Sequence, residues 1–133
     1  MISNAKLIIA VDFDGTVVDD AYPKIGKTKI FAFETLKKLQ EEGHRLILWT
    51  YRCGKKLDEA VKFCEDNGIY FYAINNSFSE EEYTPDISRK INADVFIDDR
   101  NVGGFPGWGE VYQILTNETP QIPKKRGLFG LFK

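Results

Sequence analysis

Histidine occurs once and cysteine twice in this chain of 133 residues. His44, Cys53 and Cys64 fit no zinc-binding spacing, and a single histidine leaves a site of the zinc type short of ligands. A disulfide-held secreted scaffold carries more cysteines in a shorter chain. Long apolar runs are missing as well. The run inside MISNAKLIIA is far too short for a signal peptide or a membrane span, and nothing later is long enough either. Nor is there an excess of one charge. The formal net charge of −2 gives no overall pull toward nucleic acid or an anionic membrane. No internal repeat is present. The expectation is a cytoplasmic protein with no membrane span and no specific nucleic-acid signal.

What remains is the composition of a folded protein. Hydrophobic residues make up 43% and charged residues 29%, which separates the chain from disordered sequences. Its length fits one domain able to bury roughly two thirds of its unfolded surface. Four short apolar runs read as strands covered on both faces: Leu7–Val11, Leu46–Trp49, Tyr70–Ile74 and Val95–Ile97. Between them, Ile30, Phe33, Leu36 and Leu39 recur at helical spacing before Gly43. Leu57, Val61 and Cys64 do so before Gly68. The alternation predicts an α/β fold, a three-layer Rossmann-like sandwich with a mainly parallel sheet.

Turn-rich stretches fill the rest. Thr16–Gly26 reads as a loop or small hairpin, Asn75–Pro85 as a surface loop, and Gly103–Glu110 as a glycine-rich loop. Val111–Leu115 is expected to close the fold as a helix. A domain over 1–115 is expected, followed by a flexible tail over 116–133. The tail holds two prolines, a basic run at Lys124–Arg126 and an apolar end. A weak contact with a membrane surface or a partner is the sharper alternative for it.

The chemistry concentrates at strand ends. Asp12 and Asp14 follow LIIAV within DFDGT, and Asp98 and Asp99 follow VFI. Ligands of open α/β sheets bind beyond the carboxyl ends of the strands. If the two strands are neighbours, four carboxylates converge and repel, which a hard divalent cation such as Mg²⁺ relieves. A carboxylate is also a competent nucleophile toward phosphorus. Gly15 permits a sharp turn close to a ligand. Thr50, after LILW, is placed to donate to a phosphoryl oxygen, and Lys90 to pair with nucleophile and phosphate.

From about Lys6 to Gly104 the chain resembles the haloacid dehalogenase (HAD) superfamily. The resemblance rests on DFDGT, a strand ending in Thr50, Lys90, and the pair Asp98–Asp99, in the family's chain order. It implies Asp12 as nucleophile, forming an aspartyl-phosphate, and Asp14 as general acid/base. Thr50 and Lys90 then bind phosphate, and Asp98 is the acidic metal ligand. Asp99 assists directly or through water, and the metal also takes the backbone carbonyl of Asp14. The strand ending at Val11 is expected between those ending at Thr50 and Ile97, with Tyr70–Ile74 outside the Thr50 strand. Neither the interval from Asp14 to Thr50 nor that from Thr50 to Lys90 has room for a cap domain. The implied activity is that of a capless, Mg²⁺-dependent phosphohydrolase. Its substrate is a phosphorylated small molecule or an exposed polymer end, and a homo-oligomer is one way to cover the site.

Blander readings stand beside these. Strand-end aspartates serve as turn formers or helix caps. Lys90 can be a solvated lysine, with Arg89 as its substitute. Arg52 is a candidate for a second anionic group of the substrate, or a surface residue. His44, after Gly43, reads as a surface or capping residue, and Cys53 has no partner for nucleophilic catalysis. Phe13 and Trp49 read as core, while Phe105 and Trp108 are candidates for a substrate rim. A phospho-receiver domain carries its acidic pair on the first strand and its acceptor on a later one, an order DFDGT and a terminal DD do not fit. A binding module without turnover and a phosphotransferase remain alternatives.

Overall fold

A computed structural model describes residues 5–116. The order is β1 (Ile8–Val11), β2 (Val18–Ala21), β3 (Lys24–Thr28), α1 (Ala32–Glu41), β4 (Arg45–Leu48), α2 (Gly54–Asp66), β5 (Ala73–Ile74), β6 (Val95–Ile97) and α3 (Trp108–Thr116). The sheet runs β5-β4-β1-β6 with every pairing parallel. The central place of β1 and the outer place of β5 agree with the sequence reading. β2 and β3 form a separate antiparallel hairpin.

Alternation along the strands sends side chains to two unlike faces. Ile9, Val11, Leu46, Leu48 and Ile97 join a core with residues of all three helices, including Leu36 and Leu39 of α1, Ala60 and Cys64 of α2, and Val111 and Leu115 of α3. On the other face Ala10, Ile47 and Ala73 meet Ile91, flanked by Ala93 and Phe96, and among the described residues no helix residue takes part. The expected α/β fold with a mainly parallel sheet is present, and among the described residues the second face is covered by chain without a helix. Right-handed crossovers explain the difference. The steps β1-α1-β4 and β4-α2-β5 move along the sheet in one direction and put both helices on one face. The step from β5 to β6 moves back past β4 and β1, so its connection covers the opposite face. That connection, residues 75–94, contains no helix or strand.

Element boundaries shift where side-chain pattern and backbone disagree. β5 is only Ala73–Ile74 of the expected Tyr70–Ile74, and Tyr70 is exposed. Ile30 matches the helical period, yet it lies before α1 and is exposed, because Phe31 adopts φ 67 and turns the chain. α3 starts at Trp108, within the expected glycine-rich loop, and ends at Thr116 rather than Leu115. The tail expectation for 117–133 lies outside the described residues. Among the described residues no helix is long and apolar enough to cross a membrane.

Candidate active site

β1 and β6 end side by side. The Asp12 N–H donates to the Ile97 carbonyl at 3.0 Å, carrying the ladder one residue past the strands. Asp12, Asp98 and Asp99 each offer a carboxylate oxygen within 4.8 Å of the others. Thr16 ties Asp12 to Asp99. Its fully buried hydroxyl donates to Asp12 Oδ2 at 2.9 Å, lies 3.4 Å from Asp99 Oδ1, and accepts the Asp99 N–H at 3.0 Å. Trp108 Nε1 in turn donates to the Thr16 carbonyl at 2.8 Å. Gly15 sits at φ +88, and a Cβ there would lie 2.3 Å from Asp99 Oδ2, so glycine is needed on both counts. Asp98 lines the cavity above, while Asp99 packs behind it against Gly15 and Thr16.

The Asp12 carboxyl is pushed up to about 7. Burial is the largest cause. The Thr16 hydrogen bond opposes it, and the charges of Asp98 and Asp99 add to the rise. An all-oxygen donor set crowded enough to hinder its own ionisation fits Mg²⁺, a hard cation that takes carboxylates and retains water. Asp12, Asp98 and Asp99 are the side chains placed to hold it.

Asp14 is gripped by Arg52. Arg52 Nε donates to Oδ2 and a terminal nitrogen to Oδ1, both at 2.8 Å. The remaining donors go to the carbonyls of Pro23, Lys24 and Lys56 at 3.0–3.3 Å. A guanidinium has five N–H donors, and all five are used inside the protein. Arg52 is 1% exposed, and its Asp14 bonds hold its own ionisation above the ordinary value against the cost of burial. The expectation that Arg52 binds a substrate anion is corrected: it has no donor to spare. It instead fixes Asp14, the hairpin turn at Pro23–Lys24 and the first turn of α2 to one another.

Thr50 stands at the cavity wall. Its N–H donates to Asn75 Oδ1 at 2.8 Å and its hydroxyl oxygen accepts the Arg52 N–H at 3.1 Å, which leaves the hydroxyl proton for a ligand. The cavity measures about 780 Å³. Asp12, Asp14 and Asp98 bring acid to it from the ends of β1 and β6. The walls are Asp20 and Tyr22 of the hairpin, Trp49, Thr50 and Tyr51 after β4, and Arg100 after β6. The small hairpin expected within Thr16–Gly26 thus supplies one wall of the cavity through Asp20 and Tyr22, whereas Val17 and Val18 are core residues.

Several expected residues lie elsewhere. Lys90 is exposed, and its ammonium stands 5.7 Å from the Phe96 ring centre, on the helix-free face. It is not a wall of the cavity, because the 75–94 connection runs across that face rather than over the strand ends. Its substitute Arg89 is 4.5 Å from the Tyr83 ring. Trp108 is buried and Phe105 packs edge-on against it at 5.6 Å, so neither forms a substrate rim. Phe13 is core as expected, and the half-buried Trp49 packs against the Ala10–Ile47 cluster while also lining the cavity. His44 is a buried residue, not a surface one: its Nδ1 accepts the Leu7 N–H at 3.0 Å. Cys53 is exposed and unbonded to Cys64, whose thiol burial pushes up to about 12. The sequence reading gave no role to Thr16, Asn75 or Arg100. Only Thr16, inside DFDGT, carried a signal that could have found it.

No family model and no curated protein matches the chain. A solved structure does: a conserved protein from Bacteroides thetaiotaomicron, 52% identical, with a TM-score of 0.81 over 87% of this chain and 94% of that one. The chain belongs to the same family as that conserved protein.

Proposed function

We propose that this protein is a Mg²⁺-dependent phosphomonoesterase similar to capless members of the HAD superfamily. The observation that carries the reading is the carboxylate cluster of Asp12, Asp98 and Asp99 at the ends of adjacent parallel strands, opening into a cavity that Asp14 shares. Bound Mg²⁺ would screen the nucleophile from the phosphate and polarise the phosphoryl oxygens.

The chain's own residues do the rest. An Asp12 oxygen attacks phosphorus, a new P–O bond forms, and the bond to the leaving-group oxygen breaks. Asp14 gives a proton to that oxygen and later takes one from the water that attacks the aspartyl-phosphate, releasing phosphate and restoring Asp12. Arg52 occupies one lone pair of each Asp14 oxygen and fixes the plane of the carboxylate, while Asp14 still lines the cavity. Thr16 holds the nucleophile in one rotamer, and Thr50 donates to a phosphoryl oxygen. Arg100 replaces Lys90 as the cation beside the phosphate, since it alone of the two lines the cavity. The test is hydrolysis of a generic aryl phosphate with and without Mg²⁺. Turnover is expected to require the metal and to vanish in Asp12→Asn. Full activity in Asp12→Asn would falsify the mechanism.

A further inference from the structure

A phosphoryl group accounts for little of the cavity. At about 30 Å³ per water-sized unit it fills roughly 90 Å³, against about 780 Å³ available. The remaining space has room for whatever the phosphate is attached to, and three of the wall residues around it are aromatic. Tyr22 comes from the hairpin, and Trp49 and Tyr51 from the chain after β4.

Two of these rings have unusual surroundings. Tyr51 is 92% exposed, so almost nothing in the protein packs against it. Tyr22 is about half exposed and is backed by the Arg52 guanidinium, 5.2 Å from its ring centre. Arg52 is itself immobilised by five hydrogen bonds, so the Tyr22 ring rests on a fixed support. One ring is seated and the other is free to close. Both border the cavity whose acidic floor would take the phosphate. Flat rings of this kind recruit flat partners, because stacking adds to apolar burial and tolerates polar ring edges.

We propose that the cavity holds an aromatic subsite, formed by Tyr22 and Tyr51, that selects phosphomonoesters carrying a planar aromatic ring. The inference rests on the phosphomonoesterase reading and names the substrate class for it. The ring can sit next to the ester oxygen, as in a benzyl or aryl phosphate. It can also sit a sugar away, as in a nucleoside 5′-monophosphate. The chemistry of recognition is shared, and matched pairs of probes separate the two.

The experiment measures equilibrium binding to the full-length Asp12→Asn variant with Mg²⁺, by calorimetry. Benzyl phosphate is paired with cyclohexylmethyl phosphate, and adenosine 5′-monophosphate with ribose 5-phosphate. Each pair shares its ester linkage and differs in the flat ring. At least one ring-bearing member is expected to bind about tenfold tighter than its partner, the scale of one stacking contact. Which pair shows the preference identifies the distance of the ring from phosphorus. Tyr51→Ala, made in the same background, is expected to collapse that preference to within about twofold. Its side chain is so exposed that folding is unaffected, which circular dichroism checks. Equal affinities within both pairs, or a preference that survives Tyr51→Ala, would overturn the subsite. Binding keeps this question apart from catalysis. Ring preference without any Asp12-dependent turnover in the wild type overturns the phosphomonoesterase reading alone, and turnover without ring preference overturns the subsite alone.

Discussion

Asp12 bears the strain of this site, and its ionisation gives a signature. Folding raises its carboxyl from 3.8 to about 7, chiefly by burial. A folded value above the unfolded one means that the stabilising contribution is complete below pH 3.8 and is lost as pH rises through about 7. Urea melts of metal-free protein should show wild type losing stability relative to Asp12→Asn across that window. Added Mg²⁺ should restore it at neutral pH. A parallel course of the two proteins would remove the crowding argument. The aspartate pair is separable too. Asp98 lines the cavity and Asp99 stands behind it, so Asp98→Ala should weaken Mg²⁺ binding more than Asp99→Ala in a metal titration. Equal or reversed losses would mean the pair is wrongly assigned. Arg52→Lys keeps a positive charge but cannot span both Asp14 oxygens. It should reduce turnover of alkyl phosphates, whose leaving groups need the proton, at least tenfold more than turnover of 4-nitrophenyl phosphate. A uniform loss across leaving groups would show that Arg52 acts on folding only.

The elements differ in how openly the sequence announced them. DFDGT after an apolar strand, and DD after another, marked the site because acidic residues at strand ends have few structural uses. Helical spacing located α1 and α2, since Leu36, Leu39 and Cys64 are buried. Arg52 was not legible. Nothing in TYRCG says that a cation will bury itself to meet a carboxylate from Asp14 and carbonyls from the hairpin. Lys90 misled for a related reason: its place in chain order matched, but the path of residues 75–94 depends on which face the crossover takes. Trp108 looked like a loop aromatic among glycines and proved to be the first residue of a helix, bonded to the Thr16 carbonyl. That bond joins α3 to the turn beneath Asp12. Trp108→Phe should cost about 1–3 kcal/mol of stability, the penalty of an unsatisfied buried group. It should also lower Mg²⁺ affinity through Thr16. A destabilised variant with unchanged metal affinity would confine α3 to a packing role.

At the scale of the whole molecule, the helices among the described residues lie on one side of the sheet and the irregular 75–94 connection lies on the other. Few backbone hydrogen bonds hold that connection; those it makes include Glu81 to Phe78 and Ile87 to Thr84. Opening it leaves the helix-side core intact, so local and global unfolding should separate. Amide exchange is expected to be fast over 75–90 and slow in β1 and β4, which sit inside the sheet. Limited proteolysis should first nick the 75–94 connection, with the two pieces staying associated. The same asymmetry bears on how the chain tolerates change. Sequence inserted into the 75–94 connection would disturb neither the β1–β6 pairing nor the helical layer. Sequence inserted directly after Asn75 would emerge close to the wall of the cavity, because Asn75 anchors that end of the connection to Thr50. A fold of this build therefore carries, where that connection begins, a port through which a lid could be grafted.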